Sequence, residues 1–322
     1  MTTNNQKKPP MIVLTGPTAA GKTDLSLELA DRVKGSVISA DSMQVYRYMD
    51  IGSAKIMPNE MRGIPHYLID CLLPSEEFNI VVFQRMAREA LQEIYAQGRI
   101  PIVTGGTGFY IQGLLYDIDF TAQDEDPSLR RELEEFARNH GAHALHERLK
   151  SIDPVSYETI HENNVKRVIR ALEFYYKSGS PISAHNETER RKESPYNFAY
   201  FVLTDERRLL YERIEQRVDL MVERGLIEEV RALRDKGYTR NMVSMQGLGY
   251  KEILDALDGR CTIEEAIATI KLETRHFAKR QLTWFRREKE VLWYDKSAWS
   301  YDQNAILDDM CRILSEKNII AE

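Results

Sequence analysis

The chain has 322 residues, of which 43% are apolar and 29% are charged, and its formal net charge is −6. This composition is typical of a soluble globular protein with two or three domains, or with one large domain that carries an insertion. It argues against a protein that coats nucleic acid, and no apolar run approaches the roughly 18 residues that a membrane span needs.

Cysteine usage and the N-terminal residues indicate the compartment. Cys71, Cys261 and Cys311 lie far apart without metal-ligand spacing, which is typical of reduced thiols. Residues 1–10 are polar and lack the apolar core of a signal peptide. We therefore expect a cytoplasmic protein without membrane contact. Separately, we expect it to act as a monomer.

The first third of the chain alternates short apolar runs with helical patterns. Strands are predicted at residues 11–15, 36–39, 67–69 and 100–104, and helices at residues 23–33 and 83–96. This alternation is the signature of a parallel sheet with crossover helices. Strand patterns return at residues 199–203 and 291–294, so we expect both ends of the chain to contribute to the sheet.

The middle of the chain has helical patterns only. Helix starts are predicted at Asp126–Pro127, Asp153–Pro154 and Asn164, and helix ends at Gly141 and Gly179. We predict an α/β fold in which residues 1–120 and 199–322 form a P-loop NTPase-like core, a parallel sheet flanked by helices. Residues 121–198 are predicted to form an inserted all-helical domain.

The most specific local motif lies between the first predicted strand and the first predicted helix. Residues 16–23 fit the phosphate-loop pattern G-x-x-x-x-G-K-[ST]. In such a loop, backbone N–H groups and the helix dipole point at an anion, Lys22 adds a full charge, and Thr23 can ligate Mg²⁺. The predicted diphosphate site comprises Gly16, Pro17, Thr18, Ala19, Ala20, Gly21, Lys22 and Thr23, and the alternative is a glycine turn without a ligand.

Two aspartates follow predicted strands, at the sheet edge where open α/β proteins bind ligands. Asp41 is placed to bind Mg²⁺ or to act as a base, or else to cap a turn. Ser42 and Gln44 continue its loop and are placed to read the edge of a base. Asp70 resembles the strand-plus-aspartate magnesium site of P-loop nucleotidases, although a structural role is favoured at least as strongly.

A second glycine-rich turn follows the strand predicted at residues 100–104. Gly105, Gly106 and Gly108 permit a ligand to approach the backbone closely, and the alternative is a tight strand-to-helix turn.

An arginine lies on the apolar face of a later predicted helix. Leu210, Ile214 and Val218 recur at helical spacing, and Arg217 falls about 20° from Leu210 on the same face, with Arg213 at its edge. An inward arginine needs a partner because burying an unpaired charge is costly. A bound diphosphate suits the guanidinium, and a buried carboxylate is the structural alternative.

Basic residues cluster on two other predicted helices. Lys166, Arg167 and Arg170 share the helix that begins at Asn164. A late helix carries two parallel rows of cationic side chains and histidine: Arg275, Lys279 and Arg286 in one row, and His276, Arg280 and Arg287 in the other. Charged helix faces are often simply solvated, but two of them beside a phosphate site indicate a local nucleic-acid surface.

Six motifs occur in order: residues 16–23, Asp-Ser-Met-Gln-Val-Tyr at 41–46, Asp-Ile-Gly-Ser-Ala-Lys at 50–55, Gly-Gly-Thr-Gly-Phe-Tyr at 105–110, Arg-Ile-Glu-Gln-Arg at 213–217 and Gly-Leu-Gly-Tyr-Lys at 247–251. Together they strongly resemble the tRNA dimethylallyltransferases, also called tRNA isopentenyltransferases. The resemblance runs from about residue 11 to residue 293, and the motif at 41–46 is its most specific part. The chain resembles the bacterial members of this family, because its late cysteines are too few for the zinc finger that some eukaryotic relatives carry.

The resemblance implies transfer of a dimethylallyl group from dimethylallyl diphosphate to N6 of the adenosine that is 3′-adjacent to the anticodon in the tRNA anticodon stem-loop. It implies that Asp41 is the general base and that Arg217 binds the diphosphate, and we expect Thr18 to add a hydrogen bond. Mg²⁺ is the expected cofactor, with Asp41 or Asp70 as a second ligand besides Thr23. The residues implied to contact tRNA are Asp41, Ser42, Met43, Gln44, Thr107, Val165, Lys166, Arg167, Val168, Ile169, Gln246, Gly247, Leu248, Gly249, Tyr250 and Lys251.

Two other functions fit part of the sequence. A small-molecule or nucleotide kinase would use the phosphate loop, Asp70 and an arginine-bearing helix, but it leaves the motif at 41–46 unexplained. A regulatory nucleotide-binding module would use the loop without turnover and would not need an inward Arg217.

Overall fold

The computed structural model describes residues 8–120 and 128–321. They divide into two compact units, Met1–Leu115 with Pro195–Glu322, and Tyr116–Ser194. The first unit is built on a parallel sheet with helices, and the described elements of the second unit are helices.

One parallel sheet forms the centre of the first unit. Its six strands lie in the order β3-β2-β4-β1-β5-β6. The strands are β1 (Pro10–Thr15), β2 (Gly35–Ala40), β3 (His66–Tyr67), β4 (Ile100–Gly105), β5 (Asn197–Thr204) and β6 (Val291–Asp295). Strands β1, β2, β4 and β5 are buried along most of their length, as expected where helices cover both faces of a parallel sheet. The predicted fold class is confirmed.

The described residues also form helices. They are α1 (Lys22–Val33), α2 (Ile80–Ala96), α3 (Gly108–Leu115), α4 (Ser128–Glu147), α5 (Leu149–Ile152), α6 (Pro154–Thr159), α7 (Val165–Ser178), α8 (Ile182–Arg191), α9 (Arg207–Glu223), α10 (Leu226–Asp235), α11 (Tyr250–Leu257), α12 (Ile263–Phe285) and α13 (Gln303–Glu316). Short 3-10 turns occur at Ser244–Gln246 and Lys296–Trp299.

A hydrophobic core covers one side of the sheet. Leu29 of α1 and Met310 of α13 pack with Ile12, Leu14 and Phe201 of the strands, and all five side chains are fully buried. Burying an aliphatic or aromatic side chain of this size contributes about 1.5–3 kcal/mol. The core therefore fixes the strand ends from which the loops of the candidate site extend.

In the first unit, three element boundaries differ from the sequence prediction by two residues or more. Strand β3 ends at Tyr67 instead of residue 69, because Leu68 and Asp70 adopt left-handed backbone conformations with φ of 62° and 54°. Helix α2 begins at Ile80 instead of residue 83. The side chain of Asn79 caps it by accepting hydrogen bonds from Val81 N and Val82 N. Strand β5 begins at Asn197, two residues inside the predicted insertion.

The second unit is described here by itself. Its core contains Leu133, Leu145, Val168 and Leu172. The predicted start at Asp153 is confirmed, because its carboxylate accepts from Ser156 N at 3.0 Å. Gly141 interrupts the helical geometry with φ of 86°, as a helix end requires, but helical residues resume after it and extend to Glu147. The predicted start at Asp126–Pro127 lies outside the described residues.

Candidate active site

A cleft opens at the carboxyl ends of the central strands. The phosphate loop follows β1, Asp41 follows β2, and Gly106 follows β4, and all three contribute to the lining of the cleft. Arg217 of α9 and Gln281 of α12 line it as well. The candidate site therefore occupies the sheet edge at which open α/β proteins bind ligands.

The backbone of the phosphate loop requires its glycines. A Cβ atom on Gly16 would lie 2.5 Å from the carbonyl oxygen of Leu203, so a side chain does not fit there. Gly21 has φ of 85° at the N-terminus of α1, a conformation that favours glycine. The Lys22 ammonium donates to the carbonyl of Pro17 at 2.8 Å, which folds the loop around the lysine side chain.

Lys22 and Arg217 are two cations that line the same cleft. Burial and the nearby Arg217 charge lower the pKa of Lys22 to about 8, and Asp41 partly offsets this effect. Burial also lowers the pKa of Arg217, against the opposing attraction of Asp24 and Asp41. An anionic ligand placed between Lys22 and Arg217 would relieve both effects.

We expect the wild-type protein to lose more affinity for inorganic diphosphate above about pH 8 than a Lys22→Arg variant does, because the titration of diphosphate itself is common to both. Lys22 has its pKa lowered to about 8, so above that pH the free protein must first take up a proton to present the ammonium. Calorimetric titration from about pH 7 to about pH 10 measures this dependence. The control is Lys22→Arg, whose guanidinium stays charged throughout. A fall of the same size in that variant would assign the titration to another group.

The two arginines of α9 have different partners. Arg213 pairs with the buried carboxylate of Asp205 at 2.5 Å, and Tyr301 donates to the same carboxylate at 3.0 Å. Among the described residues no carboxylate pairs with Arg217, which lines the cleft. The structural ion pair considered for the inward arginine therefore belongs to Arg213, and the free guanidinium belongs to Arg217.

Asp41 combines a structural contact with access to the cleft. Its Oδ1 accepts from Met43 N at 2.8 Å and from Gln44 N at 3.3 Å, so it caps the turn that begins the 41–46 motif. Its Oδ2 has no hydrogen-bond partner within residues 8–120 and 128–321. One oxygen therefore holds the loop, and the other is available to a ligand.

Asp70 has a different role from the one considered in the sequence. Its carboxylate pairs at 2.5 Å with Lys55, whose fully buried side chain also pairs with Asp50 at 2.5 Å and donates to the carbonyl of Tyr46 at 2.7 Å. Asp70 does not line the cleft. It therefore stabilises the loops around Lys55, and of the two aspartates Asp41 is the one that lines the cleft.

Glu229 of α10 organises the segment at 50–55. Its carboxylate accepts from the backbone N–H groups of Asp50, Ile51 and Gly52 at 2.8–3.1 Å, and from the Tyr250 hydroxyl at 2.8 Å. A Cβ atom on Gly52 would lie 2.6 Å from the Tyr250 ring. The motifs at 50–55 and 247–251 are therefore in direct contact, through a carboxylate that belongs to no motif singled out in the sequence.

We expect Glu229→Gln to lower the free energy of unfolding by about 1–3 kcal/mol. The amide nitrogen would face N–H donors that the carboxylate now satisfies, so at least one buried donor would lose its partner. Urea denaturation measures the effect. The matched control is Glu228→Gln at the exposed neighbouring position, which should change stability by less than about 0.5 kcal/mol. Equal effects of the two substitutions would contradict this role.

The other residues of the first unit that are predicted to contact tRNA differ in solvent exposure. A Cβ atom on Gly247 would lie 2.5 Å from Met43 Sδ, so the 41–46 loop packs on this segment. Gln246 is exposed, whereas Tyr250 is fully buried. Thr107 accepts from the N–H groups of Tyr110 and Ile111 at the start of α3. Ser42, Leu248 and Lys251 are half-buried, and Gly249 is buried.

The glycines of the second glycine-rich turn are explained better by a tight strand-to-helix turn than by close approach of a ligand. A Cβ atom on Gly105 would collide with the Ala40 carbonyl, one on Gly106 with the Gln281 side chain, and one on Gly108 with the Trp284 ring. These glycines are needed because protein atoms fill the space beside them. Gly105 and Gly106 also line the cleft.

Helix α7 divides the residues predicted for tRNA binding in the helical unit. Lys166 and Arg167 are exposed, whereas Val168 and Ile169 are only 0% and 4% exposed and belong to the core. Val165 is half-buried. A nucleic acid can reach the side chains of Lys166 and Arg167, whereas Val168 and Ile169 serve the packing of the helix.

The basic rows on α12 are partly neutralised. Arg275 pairs with Glu215 of α9, and Lys271 pairs with Asp219 at 2.6 Å, so these cations tie α12 to α9. Further along the helix, Lys279 and Arg280 are exposed, as are Arg286 and Arg287 beyond its end. In the described part of the chain none of these four forms an ion pair, which leaves a local basic surface on an acidic protein.

Comparisons with known proteins bear on this site. The family described as IPP transferase matches residues 44–288. The tRNA dimethylallyltransferase of Lachnoclostridium phytofermentans is 57% identical over 97% of this chain and 99% of that protein. The one from Acetivibrio thermocellus is 48% identical over 92% and 95%, respectively.

Solved structures similar to this chain include enzymes with related names. The full-length tRNA isopentenylpyrophosphate transferase of Bacillus halodurans is 45% identical, with a TM-score of 0.72 over 97% of this chain and 98% of that one. A eukaryotic dimethylallyltransferase acting on tRNA is 28% identical, with a TM-score of 0.79 over 96% of this chain and 79% of that one.

Proposed function

The chain belongs to the IPP transferase family, and we propose that it transfers a dimethylallyl group from dimethylallyl diphosphate to N6 of the adenosine 3′-adjacent to the anticodon in tRNA. Diphosphate is released. The observation that carries the proposal is the cleft itself, where the phosphate loop, Asp41 and Arg217 come together. The family supports the reaction, and the cleft supports the assignment of roles.

The leaving group is stabilised on one side of the cleft. As the bond between the allylic carbon and the diphosphate oxygen breaks, negative charge grows on the diphosphate. Lys22 and Arg217 place two positive charges beside it, and the N–H groups at the start of α1 add dipoles. Thr18 is proposed to donate a further hydrogen bond, because it lines the same wall.

The acceptor amine is held on the other side. The new bond forms between the allylic carbon and N6, which must then lose a proton. Asp41 is proposed to orient the amine and to take that proton on Oδ2, because its Oδ1 is already used by the turn. Gln44 also lines the cleft and is proposed to contact the base, although its amide already accepts from the Ser39 hydroxyl and donates to the Ala54 carbonyl.

An apolar wall is available to the prenyl tail. Val37, Ile56 and Ile69 line the cleft. Burying five carbons at about 0.8 kcal/mol each contributes about 4 kcal/mol. That free energy favours the prenyl diphosphate over inorganic diphosphate, which lacks the tail.

Magnesium is the proposed cofactor, and the donors present fit it. Thr23 offers a hydroxyl oxygen ligand in the cleft, and Asp41 Oδ2 is left for the proton of N6. In the described ranges no group of three His, Cys, Asp or Glu side chains could hold a metal alone. This arrangement suits Mg²⁺, which in proteins is often bound through few side chains together with substrate phosphates and water. When bound, it would neutralise diphosphate charge.

The tRNA is proposed to meet exposed cations while its target base enters the cleft. The adenosine is stacked in the anticodon loop and must be flipped out to reach Asp41. Lys166 and Arg167 in the helical unit, and Lys279 and Arg280 on α12, are exposed and suited to the phosphate backbone.

We further propose that the protein acts as a cytoplasmic monomer. Among the described residues, no helix is both long and apolar enough to cross a membrane.

The test supplies the purified protein with Mg²⁺, dimethylallyl diphosphate and an unmodified anticodon stem-loop that carries adenosine 3′ of the anticodon. After digestion, mass spectrometry of the nucleosides should find adenosine heavier by one dimethylallyl group. A matched stem-loop with guanosine at that position should stay unmodified. Unchanged adenosine in a preparation that transfers phosphate from ATP would instead support the kinase.

A further inference from the structure

A buried glutamine of α12 joins the two glycine-rich turns of the cleft. Gln281 is only 5% exposed. Its Oε1 accepts from the backbone N–H of Thr18 at 2.9 Å, and its Nε2 donates to the carbonyl of Gly106 at 2.9 Å. One side-chain amide therefore links the loop after β1 to the turn after β4.

The contact with Thr18 uses a group that a phosphate loop could otherwise offer to its ligand. Pro17 has no N–H, and the N–H of Thr18 is directed to Gln281. The N–H groups left for an anion are those nearer the start of α1. Gln281 thereby determines which part of the loop faces the diphosphate and holds Thr18 at the cleft wall.

Gly106 supports the same arrangement. A Cβ atom added to Gly106 would collide with the Gln281 amide nitrogen. The glycine is therefore needed for Gln281 to reach Thr18. Gly106 has no left-handed backbone conformation, so an alanine there would be disturbed mainly through Gln281.

We infer that Gln281 is a positioning residue, which sets the geometry of the phosphate loop for the prenyl diphosphate by pinning Thr18 to Gly106. The inference rests on the proposed function for its substrate. A misplacement of about 1 Å at a reacting group can cost about 100-fold in rate. Gln281 therefore acts on the diphosphate through the loop, and its role differs from that of the exposed cations on the same helix.

The test compares Gln281→Met with a matched control, Gln84→Met. Gln84 is also buried, at 4% exposure, and also donates to a glycine carbonyl, that of Gly113 at 2.8 Å, but it lies outside the cleft. Methionine is close in volume to glutamine and lacks its hydrogen bonds. Both variants should lose thermal stability to a similar extent.

Only Gln281→Met should change the handling of diphosphate. We expect it to raise the Kd for inorganic diphosphate and the KM for dimethylallyl diphosphate about 10-fold, and to lower kcat at least about 10-fold. Its Kd for the stem-loop should stay within about twofold of wild type. Gln281→Met with unchanged diphosphate constants, or with changes matched by Gln84→Met, would overturn the inference.

A double-mutant cycle with Gly106→Ala makes the test sharper. Alanine should displace Gln281, so Gly106→Ala should reproduce the loss seen in Gln281→Met. The double variant should be no worse than either single one, because both remove the same link. Multiplicative losses would show that the two residues act separately.

The diphosphate titration also separates this inference from the proposed function. Wild-type protein that binds diphosphate without modifying the stem-loop would contradict the transferase. In that case a weaker Kd in Gln281→Met would still support the role of Gln281 in shaping the loop.

Discussion

Asp41→Asn should lower kcat for transfer to the stem-loop by about 10²–10⁴, the range attributed to a positioned acid or base. Asparagine keeps an oxygen that can accept from Met43 N and Gln44 N, so the turn that begins the 41–46 motif should persist. It cannot accept the proton from N6. The loss should therefore appear in kcat, with the KM for dimethylallyl diphosphate within about twofold of wild type.

Single-turnover measurements with saturating dimethylallyl diphosphate isolate the chemical step. The companion variant is Asp41→Ala, which removes both the base and the turn cap. It should lose stability as well as turnover, whereas Asp41→Asn should lose turnover alone. Wild-type single-turnover rates in Asp41→Asn would remove Asp41 from the proton transfer and leave it with a structural role only.

The parts of the fold that sequence patterns predicted are those that depend on neighbouring residues. The phosphate loop and strands β1, β2 and β4 follow from local glycine spacing and continuous apolar runs. Strand β3 was predicted too long because its apolar pattern continues through Ile69, while the backbone turns at Leu68. Hydropathy alone does not report that turn.

The parts that sequence patterns missed depend on contacts between distant positions. Gln281 lies 263 positions from Thr18, and Glu229 lies 179 positions from Asp50. Neither residue belongs to a short motif with a recognised mechanism, so only the folded chain brings these pairs together. Lys55 was seen as part of a motif, but its burial between Asp50 and Asp70 could not be deduced from spacing.

For the two arginines of α9, sequence patterns predicted the helix face on which each lies but not the partner of either one. Helical periodicity placed Arg217 on the inward face and Arg213 at its edge, and the buried partners Leu210, Ile214 and Val218 agree with that face. Periodicity could not tell which arginine pairs with a carboxylate. That choice depends on Asp205, which lies at the end of β5 and is buried within reach of Arg213.

Arg217→Ala should reduce kcat/KM for dimethylallyl diphosphate by about 10²–10³, equivalent to about 3–4 kcal/mol of transition-state stabilisation. The guanidinium lines the cleft with Lys22 and has no carboxylate partner among the described residues, so its charge is available to the diphosphate. Charge on the leaving group is greatest in the transition state. The substitution should therefore lower kcat itself. The fold decrease in kcat/KM should exceed the fold increase in the Kd for inorganic diphosphate.

The control for Arg217→Ala is Arg213→Ala on the same helix. It removes the partner of the buried Asp205 and should lower the free energy of unfolding by about 1–3 kcal/mol. Turnover of the folded fraction should be close to wild type.

Arg217→Ala should also raise the pKa of Lys22, because the Arg217 charge helps to lower it. The pH-dependent fall in diphosphate affinity should then shift to higher pH. A loss in kcat/KM below about 1 kcal/mol, with no such shift, would assign Arg217 a structural role instead.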